Sequence, residues 1–116
     1  MEKSRQDALN LLREFNKNES LVKHGLSVEA AMRAYARVHG EDEEKWGMAG
    51  LLHGLDYEMY PTLDKHAFEG YRILKERGFP EDIARAVLSH SDHTSTPRMS
   101  PMEKTLYAVD ELSGFI

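Results

Sequence analysis

Five of the six histidines in this chain, His24, His53, His66, His90 and His93, stand at helix-spaced and mostly apolar positions. A fold that accommodates them has to be built from helices whose inward faces carry imidazole as well as hydrocarbon. A lone histidine on an apolar stripe is usually a core residue bonded to a backbone carbonyl. A series of them from successive helices, closed by Asp110 in the stretch LYAVDELSGF, is better explained by a metal centre. Imidazole and carboxylate together suit Fe, Mn, Zn, Co or Ni.

The punctuation between these positions predicts helices. Ser4 caps a first one through Phe15, with Leu9, Leu12 and Phe15 on one face and Asn16 to Asn18 ending it. A second runs from about Ser20 to His39 and stops at Gly40. Its inward face reads Leu21, His24, Val28, Ala31, Met32 and Tyr35. The acidic turn Glu41-Asp42-Glu43 opens a third, which carries Trp46, Ala49, Leu52 and His53. The Tyr60-Pro61 step closes the segment beyond His53. A fourth helix is expected over Asp64 to Arg77 with Gly78 as its stop. The fifth has Pro80 in its first turn and aligns Ile83, Val87 and His90. After the polar loop Thr94 to Pro97, Ser100-Pro101-Met102-Glu103 is a capping box that opens a sixth. No segment alternates with period two for long enough to be a strand, so the expected class is all-α, in a single domain over residues 1–116.

Charge and composition remove several functions. Twenty acidic against fifteen basic residues give a net charge of -5, which disfavours a general nucleic-acid or anionic-membrane binder. The absence of cysteine excludes disulfides and thiolate metal sites, and a cytoplasmic location fits. The N-terminal segment MEKSRQDALNLLREF has charges throughout and is neither a signal peptide nor a membrane span.

Read in order, the segments VKHGLSVEAAM, LLHGLDYE, KHAFEGYRIL, AVLSHSDH and MEKTLYAVDELSGF resemble the HD-domain superfamily of metal-dependent phosphohydrolases, specifically its small HDIG-type members. The resemblance extends from about residue 20 onward and implies a bundle of about six helices. It also implies that His24, the His53-Gly54 pair and Asp110 stand at the positions that bind one metal. His66 and His90 match the histidines that two-metal members add. The second of two adjacent histidines in some such members falls on Ser91, which leaves His93 as its substitute.

Gly54 stands where the family's pair has an aspartate that commonly contacts both metals. Its loss is expected to weaken the first site and to oppose a bridged pair. Asp56 lies three residues from His53 on the same face, and it could reach inward as a catalytic carboxylate beside Asp110 if the helix persists. Lys65, Arg72 and Arg98 are candidate phosphate contacts, each also readable as solvated surface. Tyr57 and Tyr60 are candidate pocket walls, and His39 is a favourable charge at a helix C-terminus.

The expected function is therefore hydrolysis of a small phosphate ester, a nucleotide included, by a water activated on one or two divalent transition-metal ions. The alternative is an HD-fold binding or assembly module that has lost its metal through Gly54. The last helix reaches Phe115-Ile116 with no cap or polar tail, and the family usually continues further. This predicts either a C-terminally truncated domain or a homodimer or higher oligomer packed through that helix.

Overall fold

Ser4 sets the first helix going. Its hydroxyl accepts the Asp7 N–H at 3.1 Å while the Asp7 carboxylate accepts the Ser4 N–H at 2.9 Å, so two of the N–H groups that a helix start leaves without partners are satisfied reciprocally. In the computed structural model, which describes residues 3–60, 62, 65–91 and 94–113 with side chains as far as Asp110, six helices succeed one another. They are α1 (Arg5–Phe15), α2 (Glu19–His39), α3 (Glu43–Leu52), α4 (Phe68–Glu76), α5 (Glu81–Ser89) and α6 (Pro101–Ser113). There is no strand among the described residues, and the class is all-α as the sequence predicts.

The stops and starts obey local chemistry. Gly40 ends α2 in the left-handed conformation at φ 68°, where a side chain would be strained. Asp42 caps α3 through the Lys45 N–H. Ser100 and Glu103 form the expected capping box of α6, with the Glu103 N–H donating to Ser100 Oγ at 3.1 Å and the Ser100 N–H to Glu103 Oε1 at 3.2 Å. Pro80 is the N-cap of α5 rather than part of its first turn.

Two expectations need correcting. The fourth helix begins at Phe68, well after Asp64, because Ala67 before it adopts φ 71° and cannot continue a right-handed helix. Tyr35 is 43% exposed. The buried stripe of α2 runs through Val22, Gly25, Val28, Glu29, Met32 and Ala36, which leaves Tyr35 outside it and Leu21, His24 and Ala31 half-buried at its edge.

The site is positioned by a close crossing of α2 and α3. A Cβ on Gly25 would stand 2.9 Å from the Leu51 carbonyl oxygen, and one on Gly50 would stand 2.9 Å from Met32 Cγ. Only glycine lets the two backbones approach so far. The core around this crossing includes Met32, Leu51, Leu52, Leu55, Leu74, Ile83 and Leu106, all fully buried. Helix α6 packs on α2 and α5, and α1 packs on α3. None of the helices is long and apolar enough to cross a membrane, among the described residues. Phe115 and Ile116, on which the oligomer expectation rests, lie outside the described residues, as does His93.

Candidate metal centre

His24 is the neighbour of Gly25, so the α2–α3 crossing carries its ring to the end of α3, where His53 is the C-cap. Asp110 arrives from α6, next to buried Val109. The three donor atoms meet. His24 Nε2 lies 3.1 Å from His53 Nε2 and 3.1 Å from Asp110 Oδ1, and His53 Nε2 lies 3.1 Å from the same oxygen. Residues separated by 86 positions in sequence thus form one nearly equilateral triangle.

The protonation pattern inside the triangle is set from outside it. His53 Nδ1–H donates to the Gly50 carbonyl at 2.6 Å, which leaves Nε2 with its lone pair aimed at the other two groups. His53 is 3% exposed, whereas His24 and Asp110 are each about one-third exposed at the side chain. Burial alone would raise the Asp110 pKa, but the imidazoles of His24 and His53 beside it, which share a proton with Oδ1 when no cation lies between them, outweigh it and hold the carboxyl well below the usual carboxylate range. Two imidazole nitrogens and an anionic oxygen facing one another repel unless a proton or a cation sits between them. Three donors that share a divalent ion at ~2.1 Å stand about 3.0–3.4 Å apart, and this triangle fits that requirement.

A row of imidazoles continues from it. Ring centroids are 5.0 Å apart for His24 and His53, 5.2 Å for His53 and His90, and 5.7 Å for His90 and His66. His90 Nδ1–H donates to the Val87 carbonyl, and burial, then the neighbouring His53, pushes its pKa down to about 3. It is a neutral ring whose Nε2 side carries the lone pair. All four of these histidines, Asp110 and Gly54 line one cavity of about 240 Å³, which among the described residues is also walled by Leu12, Leu21, Gly25, Leu51 and Tyr57.

The family model of the HD domain matches residues 21–114, a span that takes in every one of these cavity residues except Leu12. The chain belongs to the HD-domain family. Among curated proteins it is similar to ribonuclease Y of Oleidesulfovibrio alaskensis, at 29% identity over 98 residues, or 84% of this chain. It is similar also to ribonuclease Y of Nitratidesulfovibrio vulgaris, at 30% identity over the same length. The chain spans only 18% of the length of these relatives. No solved structure matches it.

Other expected residues of this HD domain lie elsewhere. Asp56 does not replace the carboxylate missing at Gly54. It is fully buried, and its oxygens accept N–H groups from His66, Ala67 and Gly70 at 2.8, 2.6 and 2.8 Å, so the carboxylate is committed away from the triangle. Neither Lys65, Arg72 nor Arg98 lines the cavity. Lys65 is exposed, Arg72 is held by Glu69 and Glu76, and the Arg98 guanidinium stacks 3.6 Å over the Tyr107 ring. Tyr57 lines the cavity and meets His66 edge-on, whereas Tyr60 packs against the core. His39 closes the last turn of α2 beside Trp46.

Sequence reasoning missed two residues that hold the motif segment in place. Asn16 is 2% exposed, and its amide donates to the Leu12 carbonyl at 3.1 Å and to the Leu55 carbonyl at 2.8 Å. The Glu58 carboxylate accepts the N–H groups of Lys17 and Asn18 at 2.9 and 2.7 Å. Together they fasten residues 55–58 to the α1–α2 joint. In the sequence Asn16 belongs to a polar helix stop and Glu58 to the segment LLHGLDYE, and neither gives a hint of a distant partner.

Proposed function

We propose that this HD domain is a metal-dependent phosphohydrolase acting on a small phosphate ester, with one divalent ion held by His24, His53 and Asp110 and an adjacent one served by His66 and His90. The observation that carries the reading is the triangle of lone-pair donors at 3.1 Å spacing, open to a cavity. A bound divalent ion supplies charge neutralisation for a phosphoryl group and lowers the pKa of a coordinated water.

The chain's own residues do the rest. The Gly50 carbonyl fixes the tautomer and plane of His53, and the Val87 carbonyl does the same for His90. Because His90 stays neutral, it adds no positive charge that would repel a cation. Leu12, Leu21 and Leu51 exclude water from one side of the cavity, and the Tyr57 ring offers a face for a flat group. Among the described residues no lysine or arginine lines the cavity, which supports a reading in which bound cations supply the neutralisation that phosphoryl transfer requires. Ribonuclease Y is by its name an enzyme that cleaves RNA, a phosphodiester, which agrees in reaction class. The acidic net charge of -5 and the cavity of about 240 Å³ favour a small ester, a nucleotide or shorter, over a polymer.

The test is metal content of protein purified without chelator, together with hydrolysis of an aryl phosphate and a bis-aryl phosphate. Wild type should carry a transition metal and turn over at least one of these esters, and His53→Ala should lose both properties. Metal-free wild type that remains inactive with added Mn²⁺ would overturn the reading in favour of a binding or assembly module.

A further inference from the structure

The strongest unassigned feature is the buried carboxylate of Asp56. Helix α4 begins after Ala67, a residue at φ 71° with no side chain able to cap a helix. The cap comes instead from eleven residues upstream. Asp56 Oδ2 accepts the N–H of Ala67 at 2.6 Å and that of Gly70, the third residue of α4, at 2.8 Å. That is the bond an N-cap Ser or Asp would have made. The other oxygen, Oδ1, takes His66 Nδ1–H at 2.8 Å. Gly70 is what admits the carboxylate, since a Cβ there would stand 3.3 Å from Asp56 Cγ.

We infer that Asp56 is a positioning residue whose two oxygens have separate duties, Oδ2 starting α4 and Oδ1 setting the tautomer and plane in which His66 faces the cavity. The part of this concerning a second ion rests on the hydrolase reading, and the part concerning the tautomer does not. The division of labour makes Asp56→Asn an unusually informative substitution. The two backbone N–H groups at Oδ2 select the amide oxygen for that side. The amide NH₂ is then left facing His66 Nδ1. Nδ1 has to become the acceptor, and the ring proton moves to Nε2. Helix α4 keeps its cap, while His66 turns a donor toward the cavity where it had a lone pair.

The experiment is a long-range ¹H–¹⁵N correlation on the imidazoles of metal-stripped, ¹⁵N-labelled protein at mildly alkaline pH. Wild-type His66 is expected as the Nδ1–H tautomer and Asp56→Asn as the Nε2–H tautomer, with unchanged helical circular dichroism. A wild-type His66 already protonated at Nε2 would overturn the assignment, and this holds even if the variant does not fold. So would a folded variant that keeps Nδ1–H, since a purely structural carboxylate leaves the tautomer alone. Mn²⁺ titration adds the second arm. Affinity for the second ion should fall by about 10–100-fold in Asp56→Asn, with the first unaltered. Equal second-ion affinities would remove the functional half of the inference. Absence of Mn²⁺ binding in wild type would overturn the hydrolase reading, while the tautomer shift still decides the role of Asp56.

Discussion

Two regions of this molecule draw charged side chains together from separate helices, and they balance differently. Near the N-terminus, Glu29 of α2 is 4% exposed and receives Arg5 Nε at 2.7 Å, Arg5 Nη2 at 3.0 Å and Arg33 Nε at 3.1 Å. Arg33 goes on to Glu44 at 2.9 Å. Two guanidiniums meet two carboxylates, and each carboxylate receives N–H donors. At the other cluster, His24, His53 and Asp110 bring three acceptors to one point, and among the described residues no lysine or arginine reaches the cavity to offset them. Both clusters are partly buried. The difference is one of balance: paired charges are satisfied within the chain, whereas converging lone pairs call for a proton or a cation between them. The first cluster is balanced by its own ion pairs; the second is a candidate metal site.

Acid should separate the two regions most strongly. The ordinary pKa of 6.5 for His90 falls to about 3 in the folded chain, so between these values protons bind the unfolded state in preference. Metal-free protein therefore keeps this contribution above about pH 6.5 and loses it as pH falls toward 3. At 1.36 kcal/mol per unit the upper bound is about 4–5 kcal/mol over the whole window. Denaturant unfolding of wild type and His90→Gln at about pH 7 and about pH 4 checks it, and equal acid sensitivity of the two would contradict the prediction. The guanidiniums of the other cluster keep their charge throughout.

Breaking the balanced cluster gives the next largest effect. Glu29→Ala leaves Arg33 with its buried partner gone and should cost about 3 kcal/mol of unfolding free energy. Cation stoichiometry of the folded fraction should not change; a loss of cation binding at unaltered stability would reverse the assignment of roles. Asp110→Asn does the opposite. It should lower cation affinity by more than the ~100-fold that an outer hydrogen-bond partner can account for, with the circular dichroism of the wild type. The smallest effect is a gain. A Cβ at Gly54 would meet nothing within 4 Å, so Gly54→Asp fits without strain and adds an anionic donor to the cavity wall. About tenfold tighter Mn²⁺ binding, ~1.4 kcal/mol by titration calorimetry, is expected. Unchanged affinity would mean that a carboxylate at this position does not reach the ion.

The helices were readable because their signals are local: Ser4, Asp42, Ser100 and Gly40 act within a turn of themselves. His24, His53, His66 and His90 line one cavity, His24 from the edge of the buried stripe of α2 rather than from its centre. What escaped depended on partners distant in sequence. Asp56 shares helical spacing with His53, yet the chain leaves the helix at His53 and the carboxylate is claimed by α4. Tyr35 lies at proper spacing from Met32, yet Glu29 and Ala36 carry the buried stripe instead. Lys65 and Arg98 have the right charge for phosphate but are not among the described residues that line the cavity, and charge alone does not give a location.

The fastening of the motif segment bears on where this domain can be cut. The family match begins at residue 21, but the side chain that grips Leu55 and the N–H groups that grip Glu58 belong to residues 16, 17 and 18. A boundary drawn by similarity would sever them. The transplantable unit is thus larger than the recognisable one: a graft that carried every candidate ligand but started at Leu21 would bring the motif without its moorings.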